Sequence, residues 1–179
     1  MYKLAILFGV VLSATISRGS EDPAPAVRET TQRVAFSQYC FWTGEMKLGQ
    51  IDGVLRTEAG FLNGQEVTVV DYDPARLSLE ALVRQAKAAG VADLIHFPQQ
   101  TSPHNLAALG LPEGVSLAGY RPAPAGDQKK QLEGTPYSRL TLTPEQATKL
   151  NAFCRQNPAK AREALTREQR AELARRSVH

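Results

Sequence analysis

The sequence predicts an α+β domain, an α/β layer in the broad sense, and three observations carry that prediction. Short runs at 34–39, 54–63 and 66–72, the last rich in Val, read as strands. Stretches beginning at Cys40 and at Leu79 space their apolar residues as helices do. Asn63-Gly64 falls between two of the strand runs, where it signals a tight hairpin turn.

In chain order, the first strand covers Val34–Tyr39, and a helix begins near Cys40 and ends between Gly49 and Gly53. Val54–Asn63 reads as a strand in which Gly60 marks a bulge or a close backbone approach. After the turn, Glu66–Tyr72 is a strand that Asp73-Pro74 ends. A second helix spans Leu79–Ala89: Ser78 caps it, Leu79, Leu82, Val83 and Ala86 form its apolar face, and Gly90 stops it. Ala92–Phe97 supplies a further strand. The order β-α-β-β-α-β is the split pattern of a ferredoxin-like sheet-and-helix layer. Residues 98–139 read as a loop-rich extension with Pro and Gly throughout. Terminal helices follow. Thr143-Pro144-Glu145-Gln146 is a capping box opening a helix with Ala147, Leu150 and Cys154 on one stripe. Asn157-Pro158 opens a last basic helix with a weak apolar face. No internal repeat is visible.

The 179 residues are 42% apolar and 22% charged, which suits a globular domain with a real core. The apolar run at 4–14 behind Lys3, with small residues Ser17 and Gly19 after it, reads as a secretory signal peptide over 1–19. The run is too short to cross a bilayer, and an uncleaved anchor is the minor alternative. Residues 20–31 are then a polar spacer, 32–155 the domain and 156–179 a basic helical tail. The expectation is a secreted or periplasmic monomer without stable membrane insertion after cleavage. Losing Lys3 and Arg18 lowers the net charge from +3 to +1, so the basic balance gives no reason to expect nucleic acid. Two cysteines in an exported chain could form a structural disulfide or a redox pair. No cluster of four Cys or His exists for a structural zinc, and no metal is expected.

The chemistry concentrates in Tyr39-Cys40-Phe41-Trp42-Thr43-Gly44-Glu45. Cys40 falls at a strand-to-helix junction, where unpaired backbone N–H groups and the helix dipole favour thiolate, the nucleophilic form. Phe41 and Trp42, the only Trp of the chain, suggest an apolar pocket, and Glu45 supplies an acid. A rotation of about 140° separates positions five apart on a helix, so Cys40 must sit at the cap for Glu45 to converge with it.

Cys40-Phe41-Trp42 with Gly44-Glu45 resembles the Gly-Cys-Phe-Trp-Gly motif of the peptide methionine sulfoxide reductase A family. The resemblance continues through Asp52-Gly53-Val54, Gly60-Phe61, Glu66-Val67-Thr68-Val69-Val70 and Tyr72-Asp73-Pro74, over about residues 33–89. Tyr39 and Thr43 stand where the family has Gly, and the family's insert between Gly64 and Glu66 is missing. Asp127-Gln128-Lys129-Lys130-Gln131 faintly echoes a later family element.

This resemblance implies that Cys40 attacks the sulfoxide sulfur and becomes a sulfenic acid. By the same resemblance Phe41 and Trp42 hold the substrate methyl group, Glu45 donates a proton to the oxygen, and Cys154 resolves the sulfenic acid. No bound cofactor is implied, only an external dithiol of the thioredoxin kind, and the substrate is oxidised methionine in proteins or peptides. Tyr120 and Tyr137 are candidates to replace a missing family Tyr. His96 and His104 have no evident partner. Two alternatives stay open on the same scaffold: a non-catalytic methionyl-binding domain, and a thiol–disulfide exchange protein using Cys40 and Cys154.

Overall fold

The structure, a computed structural model, describes residues 31–99 and 110–176. The signal peptide expected at 1–19, the spacer expected from residue 20 as far as residue 30, and His104 lie outside the described residues. Among the described residues the chain forms a five-stranded antiparallel sheet with helices, in the order β4-β1-β3-β2-β5. The strands are β1 (Gln32–Ser37), β2 (Val54–Leu62), β3 (Gln65–Tyr72), β4 (Leu94–His96) and β5 (Arg121–Pro122). Helix α1 (Phe41–Gly49) follows β1, and α2 (Leu79–Ala88) follows β3.

The β2–β3 hairpin closes at Asn63-Gly64, whose φ angles of 51° and 80° are both positive, as the tight hairpin turn requires. Register then sorts the side chains. Val34 and Phe36 of β1 and Val70 and Tyr72 of β3 meet Leu48 of α1 and Leu82, Val83 and Ala86 of α2 in the main core. Each Val, Leu or Phe among them contributes about 1.5–3 kcal/mol by leaving water. The opposite face carries Ala35, Leu62, Val67 and Val69, covered by Leu117 and Tyr120. With both faces covered, every β3 residue from Val67 to Tyr72 is buried, the polar Thr68 and Asp71 included.

Strand β1 lies two residues earlier than its apolar pattern suggests. Its ladder ends at Ser37 paired with Val67. Tyr39 is out of the sheet and 98% exposed, on the short connection that delivers Cys40 to the start of α1. Strand β2 has a register shift between Val54 and Arg56, so Val54 and Thr57, three apart, are both buried.

Past the two residues of β5, side chains take over the pairing at the β2 edge. The Ala59 N–H donates to Gln128 Oε1 at 3.0 Å, while Gln128 Nε2 donates to Ala59 O at 2.7 Å. The Thr57 N–H donates to Thr148 Oγ1 at 3.1 Å, and Lys129 Nζ donates to Thr57 O at 2.5 Å. Amide and hydroxyl groups thus stand in for a neighbouring strand and leave this edge closed.

Within the stretch 98–139 expected to be loop-rich, the described residues from 110 carry four short 3-10 turns besides β5. Helix α3 (Pro144–Phe153) starts at the capping box: Thr143 Oγ1 accepts from the Gln146 N–H at 3.2 Å, and Gln146 Oε1 accepts from the Thr143 N–H at 3.0 Å. The basic tail departs from the single weakly apolar helix read from the sequence. It forms α4 (Pro158–Glu163) and α5 (Arg167–Arg176). A second reciprocal cap, between Thr166 and Gln169, restarts the chain as α5. The break turns Ala161, Leu165 and Leu173 together onto Leu132, Tyr137, Leu150 and Cys154. An unbroken helical period across 158–176 hides that grouping.

Lys149 joins α3 to the end of α1, donating to Gly49 O at 2.9 Å and Ile51 O at 3.1 Å. Burial pulls its ammonium down from the ordinary 10.5 to about 8. Between that value and the unfolded one, the unfolded chain holds the extra proton, so stability rises with pH. The urea midpoint is expected to gain between pH 8 and pH 10. Lys149→Met is expected to remove part of that gain, and an unchanged slope would exclude Lys149 as its source.

Candidate functional site

Cys40 is the N-cap of α1, with extended backbone at φ −142° and ψ 116°. Its carbonyl accepts the first helical bond, from the Gly44 N–H at 3.0 Å. The thiol is half-buried, unoxidised, and makes no capping bond of its own. Gly44 lets the helix lie this close to the sheet. A Cβ there would fall onto Thr68 Oγ1 and, at 2.8 Å, onto the Gln38 amide.

The capping that Cys40 omits is supplied from β3. The Phe41 N–H donates to Glu66 Oε2 at 2.7 Å. A carboxyl group therefore lies at the same helix end as the thiol, one residue along the backbone. Glu66 is the cross-strand partner of Phe61. The Phe61 ring meets the Phe41 ring edge-on, with centroids 5.4 Å apart, and Phe41 meets Trp42 in the same way at 5.9 Å. Phe41 is 4% exposed, packed on Ala59 and Ala123, whereas Trp42, two residues after Cys40, is 36% exposed. Phe41 is the buried support and Trp42 the accessible apolar surface. Lys130 Nζ stands over the Trp42 ring, 5.3 Å from its centroid.

Glu45 lies one turn into α1 and is fully buried. Both its oxygens are taken by Lys129: Oε2 accepts from the backbone N–H at 2.7 Å and Oε1 from Nζ. Lys129 is held in the left-handed region, at φ 51° and ψ 45°, which lets its own N–H and its ammonium reach one carboxylate. The structure therefore places Glu45 in an ion pair that ties 128–131 to α1, while Glu66 is the carboxyl at the thiol's helix end.

Cys154 is the C-cap of α3, with Sγ donating to Gln131 O at 3.3 Å in the cluster of Leu132, Leu150 and Leu165. Burial pushes its thiol up. Both cysteines are free, and they sit in different environments: Cys40 at a helix start, Cys154 in a core.

Tyr120 is committed elsewhere, donating to Glu58 Oε1 at 2.7 Å. Burial, then the Glu58 carboxylate, hold its phenol well above the usual range. Tyr137 packs in the cluster around Cys154. His96 does have partners: Nε2 is 2.7 Å from Ser37 Oγ and Nδ1 is 3.0 Å from Val115 O. Burial lowers its pKa. Among the described residues no group of three or more His, Cys, Asp or Glu side chains is placed to hold a metal.

Sequence reasoning gave no role to Glu66, Phe61 or Lys129. Glu66 and Phe61 carried one usable signal. They flank the Asn63-Gly64 turn at register positions that bring them opposite each other. Lys129 carried none, because a left-handed Lys has no sequence mark.

No family model matches the chain. Distant relatives exist among curated proteins. The peptide methionine sulfoxide reductase of Brassica napus is 28% identical over 88 residues, covering 40% of this chain and 34% of that protein. The chloroplastic peptide methionine sulfoxide reductase A4 of Arabidopsis thaliana is 31% identical over 88 residues, covering 40% and 33%. Peptide methionine sulfoxide reductase MsrA 1 of Rhizobium meliloti (strain 1021) is 33% identical over 84 residues, covering 37% of each. The chain thus spans about a third of the length of the relatives it matches.

Proposed function

We propose that this protein reduces the S epimer of methionine sulfoxide in peptides and proteins with Cys40 as nucleophile. One observation carries the reading: a half-buried thiol at the start of α1 shares that helix end with the Glu66 carboxyl, beside the exposed face of Trp42. The Cys40 sulfur attacks the sulfoxide sulfur while Glu66, in its protonated form, gives its proton to the sulfoxide oxygen. The attack forms an Sγ–S bond, and a second proton lets the S–O bond break with loss of water; a water molecule then attacks Cys40 Sγ, the Sγ–S bond breaks with release of a proton, methionine leaves, and Cys40 is left as a sulfenic acid. Trp42 holds the substrate methyl group, supported from behind by Phe41 and Phe61.

Two equivalents of external thiol, or one thioredoxin-like dithiol, then return Cys40 to the thiol and release water. Cys154 as resolving thiol would have to leave its Gln131 contact and its core, so direct reduction by the external dithiol fits the geometry better. The names of the distant relatives support the same reading. Export directed by residues 1–19 would place the activity on secreted or periplasmic proteins.

The test is dithiothreitol-driven reduction of the S and R epimers of a peptide methionine sulfoxide. The S epimer is expected to turn over, and Cys40→Ser is expected to abolish turnover. Cys154→Ser is expected to keep it within about twofold, because dithiothreitol needs no resolving thiol. A folded protein whose Cys40 alkylates but which reduces neither epimer would instead be a thiol-exchange or methionyl-binding protein.

A further inference from the structure

A cavity of about 220 Å³ opens where the end of α1 meets α3 and α4, lined by Gln50, Asp52, Lys149, Phe153, Lys160 and Glu163 among others. Two lysines share it. Lys160 Nζ stands over the Phe153 ring, 4.5 Å from its centroid. Asp52 pairs with Arg76 at 2.9 Å, and among the described residues neither Asp52 nor Glu163 forms an ion pair with Lys149 or Lys160. Lys149 Nζ donates to two carbonyls, Gly49 O at 2.9 Å and Ile51 O at 3.1 Å. A neutral amine has two N–H bonds and one lone pair, so these carbonyls occupy both hydrogens and leave the lone pair uncommitted. Burial first, with Asp52 opposing and Lys160 and Arg76 adding to it, brings the ammonium down to about 8. A sizeable share of the molecules therefore carries the free amine near neutral pH. Desolvation and a second cation nearby are the conditions under which lysines serve as amine nucleophiles.

We infer that Lys149 captures a small 2-oxo acid as a Schiff base, with the carboxylate of that acid on Lys160. The amine lone pair attacks the 2-oxo carbon and a C–N bond forms. The carbonyl oxygen then leaves as water with both amine hydrogens, and the imine takes up one proton. No electrons are exchanged with a third party, and the step is reversible. The iminium keeps one N–H, which Gly49 O accepts, while Ile51 O still accepts the Val54 N–H at 3.2 Å, so the adduct leaves neither carbonyl without a donor. The volume is below that of drug-sized pockets, which limits the acid to a few carbons, and Ala164 with the Phe153 ring supplies the apolar wall for them. The cavity lies at the opposite end of α1 from Cys40, and the inference does not depend on turnover there.

Trapping with cyanoborohydride tests it: the purified full chain is incubated with pyruvate near neutral pH and the adducts are located by peptide mass mapping. Lys149 is expected to label roughly tenfold faster than any other lysine of the chain, saturably in pyruvate, with a rate that rises through a midpoint near pH 8. Lys149→Arg still donates to Gly49 O and Ile51 O, so it is expected to melt close to the parent and to lose the fast-labelling site. Lys160→Met is expected to raise the pyruvate concentration for half-maximal labelling about tenfold. Labelling of Lys149 by acetone, which has no carboxylate, should change far less in the same variant, and the difference between the two probes reads the Lys160 contact apart from any change in the amine itself. Two results would overturn the inference: Lys149 labelling no faster than the exposed lysines, or pyruvate labelling that does not saturate and is unchanged by Lys160→Met.

Discussion

Glu66→Gln is expected to cut kcat/KM for the S epimer by about 10²- to 10⁴-fold, the usual worth of a positioned general acid. The substitution isolates the proton. A Gln side-chain oxygen still accepts from the Phe41 N–H, so the start of α1 stays capped, and the melting temperature should move little. What disappears is the group able to protonate the sulfoxide oxygen as the S–O bond breaks. Alkylation of Cys40 by iodoacetamide reads the thiol alone, needs no acid, and is expected to persist in the variant. Glu45→Gln supplies the contrast. Its carboxylate is held by Lys129, so any loss of turnover there should track loss of stability. Turnover within threefold of the parent in Glu66→Gln would place the acid elsewhere and would leave Glu66 as a cap only.

The elements that position Cys40 were legible because each rests on local chemistry. Short strand-like runs bounded by turn residues marked β1 to β3, Asn63-Gly64 marked the hairpin, and Ser78 and Thr143 marked two helix starts with the caps they form. The apolar positions Leu79, Leu82, Val83 and Ala86 are the buried face of α2. What was not legible depends on contacts between distant segments. Glu45 and Glu66 are both carboxylates near the motif in sequence. Only the antiparallel register of β2 and β3 sends Glu66 to the helix end, and only Lys129, far along the chain, draws Glu45 away. The tail is hard to read for a related reason: a single helical period puts Ala161 and Leu165 on one face but turns Leu173 about 120° away, and only the break between helices brings Leu173 back to them.

Lys129→Met is expected to destabilise the protein by about 3–5 kcal/mol, the cost of leaving a buried charge without its partner. Glu45 is wholly excluded from solvent, and both its oxygens look to this one residue. After the substitution the backbone N–H of residue 129 still donates, but the ammonium is gone from Glu45 and from Thr57 O. Glu45→Leu alone should cost a comparable amount by stranding the ammonium. The double variant Glu45→Leu/Lys129→Met removes both charges and should recover most of the loss, since apolar replacement of a buried pair is often neutral. A double-mutant cycle in urea would therefore show strong coupling, and simple additivity would mean that the pair is not a unit. The same cycle bears on the site. Lys129 sits between Gln128, which closes the β2 edge, and Lys130, which lies over Trp42. If this segment holds Trp42 in place, the double variant should be stable yet show a raised KM for the sulfoxide, with Cys40 alkylation unchanged. If Trp42 is held by Phe41 alone, KM should return to the parental value along with the stability.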